Sequence, residues 1–278
     1  MTRISVVMAT YQGTAFLPQQ LVSLAQQTRL PDELIIADDA SSDGSLDIAK
    51  SVALPFTVHY FRQAQRVGYA HNFAAAAGQA RGDLILFCDQ DDVWLPHKIA
   101  QIEAQAATSS AQVFTHDLSW FSAERPAAIP SYFAYLNQLG LDRAVCLKGC
   151  ALAVRAEFIA QHGWPDPAAQ MPHDFWFAFL GTALQQRAFI DPPLLRHRMH
   201  GGNASAWLPQ WADLQFLRPE QLAHTSAVAQ LIDLCIKPRT VRWIAPLLET
   251  LGRIDTPAAH AAIALLQSQR ARLGDPPP

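Results

Sequence analysis

The chain predicts an α/β fold built on a parallel sheet, and three observations carry that prediction. Short apolar or β-branched runs recur through the first hundred residues, at Ile4–Ala9, Leu34–Ala37, Thr57–Phe61 and Leu84–Cys88. Helical signals alternate with them, as in βα units. Three of the runs break into polar or acidic loops, which a parallel sheet gathers along one edge, where such sheets bind their ligands.

Taken in order, Ile4–Ala9 is β-rich and reads as a buried first strand. It ends in Thr10-Tyr11-Gln12-Gly13, with Thr14 placed to cap a following helix. Phe16, Leu17, Leu21, Leu24 and Ala25 then fall on one helical face before Pro31 stops the element. Leu34–Ala37 makes the second strand and runs into Asp38-Asp39-Ala40-Ser41-Ser42-Asp43-Gly44. The third strand leads to Gln65-Arg66-Val67-Gly68 and an alanine-rich helix from Tyr69 to Ala80.

The fourth run, Leu84–Cys88, breaks into Asp89-Gln90-Asp91-Asp92-Val93-Trp94. Asp89 and Asp91 are two apart, so on extended backbone they point the same way and can reach one cation. Clustered carboxylates are costly to bury unpaired, and an oxygen-preferring ion, Mg²⁺ or Mn²⁺, would relieve that. The plainer reading is a polar turn into a helix capped by Asp92, with Pro96 in its first turn.

Composition narrows the classes. Hydrophobic residues make up 50% of the 278 and charged ones 16%, which suits a chain with a sizeable core. A formal charge of −3 gives no footprint for nucleic acid. Cys88, Cys146, Cys150 and Cys235 are scattered, without the second pair a zinc site needs, so reduced thiols are expected. The first apolar run is too short for a signal-peptide core, and no apolar stretch is long enough to cross a bilayer. A cytoplasmic protein is the expectation.

The wording of three motifs resembles family 2 glycosyltransferases: Val7-Met8-Ala9-Thr10-Tyr11-Gln12-Gly13, Asp38-Asp39-Ala40-Ser41-Ser42-Asp43-Gly44 and Asp89-Gln90-Asp91-Asp92-Val93-Trp94. The last looks most like the rhamnosyltransferase-type branch. By order and spacing the resemblance runs from about Arg3 to Asn203. It implies the GT-A fold, a Rossmann-like nucleotide half joined to an acceptor half. It also implies that Thr10, Tyr11 and Gly13 line the nucleotide pocket and that Asp39 accepts the imide N–H of uracil or thymine. Arg66 would meet the base or phosphate edge. Asp89 would hold the ribose and share the metal site, and Asp91 would bind the metal directly. Asp43-Gly44 is read equally well as a turn, and Arg66 as a solvated loop charge.

Further along, Ala111–His116 reads as a strand, and so does Gly149–Val154. The latter matches the family's Gly-Cys position, although Lys148 stands where a small hydroxyl residue is more usual. Cys150 reads as packing. In Met171-Pro172-His173-Asp174-Phe175, Asp174 opens an apolar aromatic helix. The residues allow a helix cap, and the family's acid or His-Asp motif implies the general base that deprotonates the acceptor. Leu195-Arg196-His197-Arg198-Met199-His200-Gly201-Gly202-Asn203 resembles the family's Tyr-Arg-x-His-x-x-Asn ending. So aligned, His200 is the third metal ligand and Arg198 a phosphate contact. His197 replaces the usual tyrosine and is expected beside the site or facing solvent.

The expected division is a GT-A domain over 1–206 and a helical appendage over 207–278, with helices near 222–235, 241–251 and 258–273. Arg239, Arg242 and Trp243 would permit a peripheral contact at the cytoplasmic face of a membrane, although core packing is the simpler account. The chain reads as an inverting, metal-dependent transferase of a UDP- or dTDP-linked sugar, such as L-rhamnose, to a glycan or lipid-linked oligosaccharide in polysaccharide biosynthesis. Two alternatives stand beside it. A sugar nucleotidyltransferase would want a glycine-rich phosphate loop after the first strand, which Thr10-Tyr11-Gln12-Gly13 lacks. An inactive nucleotide-sugar-binding protein would not need a base.

Overall fold

The four runs form the strands expected of them: β1 (Ile4–Thr10), β2 (Glu33–Asp38), β3 (Thr57–Arg62) and β4 (Leu84–Asp89). The computed structural model describes residues 2–122, 129–203 and 225–274. The four strands lie in the order β3-β2-β1-β4, every neighbouring pair parallel. β1, β2 and β4 are buried almost throughout, which is why they read as continuous apolar runs. The register sets Thr10 against Asp38 and Ala9 against both Ala37 and Asp89. One short edge therefore collects the first polar residue of each loop.

Beyond β4 the sheet turns antiparallel. β8 (Leu152–Arg155) pairs with β4, β6 (Val113–His116) with β8, and β9 (Arg187–Ile190) closes a seven-stranded sheet among the described residues. A second sheet joins β5 (Val93–Trp94), β10 (Leu195–Arg198) and β7 (Ser119–Phe121), with β10 central. The helix expected straight after Asp92 is displaced by β5, and α4 (Lys98–Thr108) begins six residues later. Gly149–Ala151 is a 3₁₀ turn ahead of β8 rather than strand. The other helices of this half are α1 (Leu17–Ala25), α2 (Ser45–Ser51), α3 (Tyr69–Ala77) and α6 (Ala156–His162), with α5 (Tyr132–Gln138) between. α1 starts at Leu17 with Pro18 in its first turn and takes no cap from Thr14.

The chain groups into two compact units. One takes in Met1–Tyr132, Lys148–Trp164 and Ala188–His200, and the other Phe133–Leu147, Pro165–Arg187 and Gly201–Pro278. The second is organised on α7 (His173–Ala183), whose Phe175, Trp176, Phe177, Phe179 and Leu180 are all buried. The C-terminal helices are α8 (Ala227–Cys235), α9 (Ile244–Leu251) and α10 (Pro257–Leu273), and α8 and α10 pack against α7. Trp243 stacks on Phe175 with ring centroids 4.9 Å apart and donates its indole N–H to the Ala169 carbonyl at 3.0 Å. Arg242 and Trp243 thus serve packing in this unit. Arg187 is half-buried, with its guanidinium on the carbonyls of Ala144 (2.7 Å) and Cys146 (2.8 Å), and desolvation of that group draws its pKa down to about 10. The boundary expected at 206–207 lies outside the described residues. Among the described residues no helix is long and apolar enough to cross a membrane.

Candidate active site

The site of the first unit grows from the ends of β1, β2 and β4. After Thr10 the chain turns sharply, with Gln12 at φ 49°. The Gly13 N–H donates to Ser45 Oγ at 2.7 Å and the Gln12 N–H to Ser41 Oγ at 3.0 Å, so the loop after β1 is tied to the loop after β2. Thr10 is buried and its hydroxyl faces Asp38 at 3.2 Å. Tyr11 carries the Arg66 guanidinium over its ring, 4.2 Å from the centroid, a cation–π contact that holds an otherwise exposed arginine.

Asp39 is buried and spends both oxygens on backbone. Oδ1 accepts the Val67 N–H at 2.6 Å and Oδ2 the Gly68 N–H at 2.9 Å. Gly68 sits at φ +85°, which only glycine adopts readily, and this presents the two amides to one carboxylate. Each oxygen retains a second lone pair for a further donor.

At the end of β4 the three carboxylates separate into different environments. Asp91 Oδ2 lies 2.8 Å from Nε2 of His200, and the Asp91 carbonyl accepts Arg198 Nε–H at 2.9 Å. Asp92 is fully buried; its Oδ1 lies 2.7 Å from Nδ1 of His197 and accepts the Arg198 N–H at 3.1 Å. Arg198 lies between Phe16 and Phe121, at 5.0 and 4.6 Å from their ring centroids. Asp89 falls instead with Asp92, Cys150 and His197, whose potential ligand atoms all lie within 4.8 Å of one another.

Electrostatics follow burial and pairing. Burial and the neighbouring Asp92 charge push the Asp91 carboxyl up, against the His200 hydrogen bond. Burial also opposes the charge on Asp92, yet His197 beside it brings the carboxyl below its ordinary value. Burial lowers His197, and Asp92 more than restores it, so the imidazole is raised. The pair therefore favours imidazolium and carboxylate together.

The donor set can be tested against a divalent ion. Two ligands on adjacent positions of an octahedral ion at about 2.1 Å stand about 3 Å apart. The Asp91–His200 separation of 2.8 Å matches that spacing. A carboxylate–imidazole pair with Asp89 nearby in sequence suits Mn²⁺ or Mg²⁺. The second grouping fits less well, because Asp92 and His197 satisfy each other and burial raises the Cys150 thiol well above its usual range. The residues present fit a divalent ion at Asp91 and His200.

Asp174 lies in the second unit, in the first turn of α7, whose N-cap is Pro172. Its Oδ1 accepts the Phe175 N–H at 2.7 Å. His173 beside it is fully buried, and burial draws its pKa down to about 3.

Two residues escaped the sequence reading. Gln90 was passed over for its acidic neighbours, yet its amide bonds Tyr11 twice, at 2.9 Å each. Lys98 is buried, donates from Nζ to the Cys150 carbonyl at 2.6 Å and lies 3.5 Å from the Trp94 ring centroid. Burial takes its pKa down to about 8. The signal was its four-residue spacing with Ile102 and Ala106, which places it on the buried face of α4.

Known proteins resemble this chain in sequence and in fold. Residues 5–158 match the model of glycosyl transferase family 2. An uncharacterized glycosyltransferase of Nostoc sp. is 32% identical over 118 residues, 42% of this chain and 36% of that protein. The dTDP-rhamnosyl transferase RfbG of Shigella flexneri is 31% identical over 98 residues, 33% of this chain and 34% of that protein. The matches thus span about a third of the length of these curated relatives. Among solved structures, S. aureus TarS 1–349 in complex with UDP superposes with a TM-score of 0.61 at 16% identity, covering 98% of this chain and 92% of that one. Mannosyltransferase PcManGT from Pyrobaculum calidifontis, in complex with GDP-Man and Mn²⁺, gives 0.60 at 17% identity, covering 98% and 83%. The fold is the GT-A arrangement.

Proposed function

Because this chain belongs to glycosyl transferase family 2, we propose that it is an inverting, metal-dependent glycosyltransferase that moves a sugar from a UDP- or dTDP-linked donor to a glycan or lipid-linked acceptor. The observation that carries this reading is the Asp91–His200 pair, 2.8 Å apart at the acidic end of β4. Likeness to the dTDP-rhamnosyl transferase supports L-rhamnose or a related hexose as the transferred sugar.

In this reading Thr10, Tyr11 and Gly13 bound the nucleoside pocket, Asp39 accepts the base imide, and Arg66 meets the base edge. Asp91 and His200 would hold Mn²⁺ or Mg²⁺; Asp89, which the family resemblance adds to that set, would also reach the ribose, and Arg198 meets a phosphate. A bound ion neutralises the charge that gathers on the departing diphosphate. Asp174 takes the proton of the acceptor hydroxyl as its oxygen bonds to the anomeric carbon and the bond to the diphosphate oxygen breaks. One carboxylate base suffices for this inverting displacement. The presence of Asp91, His200 and Asp174 in one sequence favours a catalyst over an inactive binding protein, and the turn after β1 lacks the phosphate loop of a nucleotidyltransferase.

The test is a screen of UDP-, dTDP- and GDP-sugars for thermal stabilisation and donor hydrolysis, with Mg²⁺, Mn²⁺ or EDTA and with CDP as the imide-free control. A UDP- or dTDP-sugar should raise the melting temperature and release free sugar only with metal. Failure of every donor to bind, or synthesis of a nucleotide sugar from a nucleoside triphosphate and a sugar phosphate, would overturn the reading.

A further inference from the structure

β1 and β4 run side by side in main-chain register from Ile4 and Leu84 to Ala9 and Asp89. Past that point they part, β1 into the Tyr11–Gly13 loop and β4 into the acidic loop. The Gln90 side chain spans the split: its Oε1 accepts the Tyr11 N–H and its Nε2 donates to the Tyr11 carbonyl, each at 2.9 Å. A primary amide here reproduces the two bonds that one more rung of backbone ladder would make.

The neighbouring residues are built around that amide. A Cβ added at Gly13 would stand 2.1 Å from Gln90 Oε1 and 2.7 Å from its Cδ, so glycine at 13 is what leaves room for the clamp. Gln12, between the two, is held at φ 49°. Tyr11 in turn carries Arg66 on its ring. No other side chain at position 90 keeps both bonds. Glutamate has no donor for the Tyr11 carbonyl and adds a charge beside Asp89 and Asp91, while asparagine is one methylene short.

We propose that Gln90 is a positioning residue for the nucleoside of the donor: it fixes the Tyr11–Gly13 loop, and with it the Arg66 platform, in register with the acids at the end of β4. The inference rests on the donor-binding reading given above. Contacts to the nucleoside are the same before and during transfer, so their loss weakens binding without slowing the bond-breaking step.

The experiment measures UDP and dTDP affinity, the KM and kcat of donor hydrolysis, and melting temperature for the wild type, Gln90→Ala, Gly13→Ala and the double variant. Losing the clamp in Gln90→Ala should weaken nucleotide binding and raise KM about tenfold while kcat stays within about twofold. Gly13→Ala should do the same, because its methyl evicts the amide, and the double variant should be no worse than either single one. Unchanged affinity in Gln90→Ala, a fall in kcat at constant affinity, or fully additive losses would each overturn the proposal. If Gln90→Ala does not fold, Gln90→Met, of similar length without the hydrogen bonds, is judged by the same criteria. A wild type that binds neither nucleotide removes the donor reading itself, whereas tight wild-type binding with an indifferent Gln90→Ala removes only the clamp.

Discussion

Asp92 Oδ1 and His197 Nδ1 lie 2.7 Å apart although 105 positions separate them in the chain, and both side chains are buried. Asp92 closes the acidic turn and His197 lies in β10, so the pair fastens the strand that leads to Arg198 and His200 onto the end of β4. Removing one member leaves the other charge buried without its partner. His197→Ala should therefore cost about 3–5 kcal/mol in urea denaturation. His197→Gln, which keeps a neutral donor, should recover part of that loss. An alanine variant as stable as the wild type would show that the pair holds nothing.

The neighbouring pair, Asp91 with His200, should behave differently, because its side chains are less deeply buried and the role proposed for it is to meet an ion. Donor diphosphate at about one hundred times its Kd should stabilise the protein by about 2.7 kcal/mol, and only with Mn²⁺ or Mg²⁺ present. Asp91→Ala or His200→Ala should abolish that metal-dependent shift and leave the ligand-free melting temperature nearly unmoved. Equal stabilisation by diphosphate in EDTA would remove the ion from the site.

Much of this was legible in the sequence, and the exceptions share a cause. β1, β2 and β4 are buried along most of their length, so burial is written as consecutive apolar residues. β10 is Leu-Arg-His-Arg, a run whose local pattern suggests exposure; it is a strand because β5 and β7 receive it from either side. His197 was expected at the site's margin or in solvent for the same reason, since its burial depends on Asp92 a hundred residues earlier. The plainer of the two readings made Asp92 a helix cap, yet its side chain turns to His197 and the Arg198 N–H while β5 intervenes. The acids of the motif drew the reading to themselves by their charge. Gln90, neutral between them, carried no such mark, and its function appears only once Tyr11 is beside it.

The base role proposed for Asp174 is what would separate a transferase from a binding protein. Asp174→Asn retains shape and can still accept the Phe175 N–H, but it cannot take a proton. Transfer should fall by about 10²–10⁴-fold while donor affinity and melting temperature hold. Near-wild-type transfer by this variant would end the general-base assignment.

His173 makes the second unit acid-sensitive. The pKa of its imidazole is about 3 when buried, against an ordinary 6.5. Above pH 6.5 the ring is neutral in folded and unfolded chains alike, so stability is complete. Below it the unfolded chain takes up a proton that the native state refuses. Stability then declines by up to about 1.4 kcal/mol per pH unit until the folded group itself titrates near pH 3. Urea denaturation of wild type and His173→Phe at pH 7, 5.5 and 4.5 should show a shallower acid loss in the variant. Parallel curves would assign the sensitivity to other groups.

The 109-position span between Asp91 and His200 also orders events in time. At about 5–20 residues per second, the ribosome needs roughly 5–20 s after making the first to deliver the second. Through that interval the nascent chain holds the β3-β2-β1-β4 strands and their acids, but neither imidazole. The acidic end of β4 must wait in water until β10 arrives. Pairing of Asp91 with His200 is thus a late event in biosynthesis, reached only after all four parallel strands have been made.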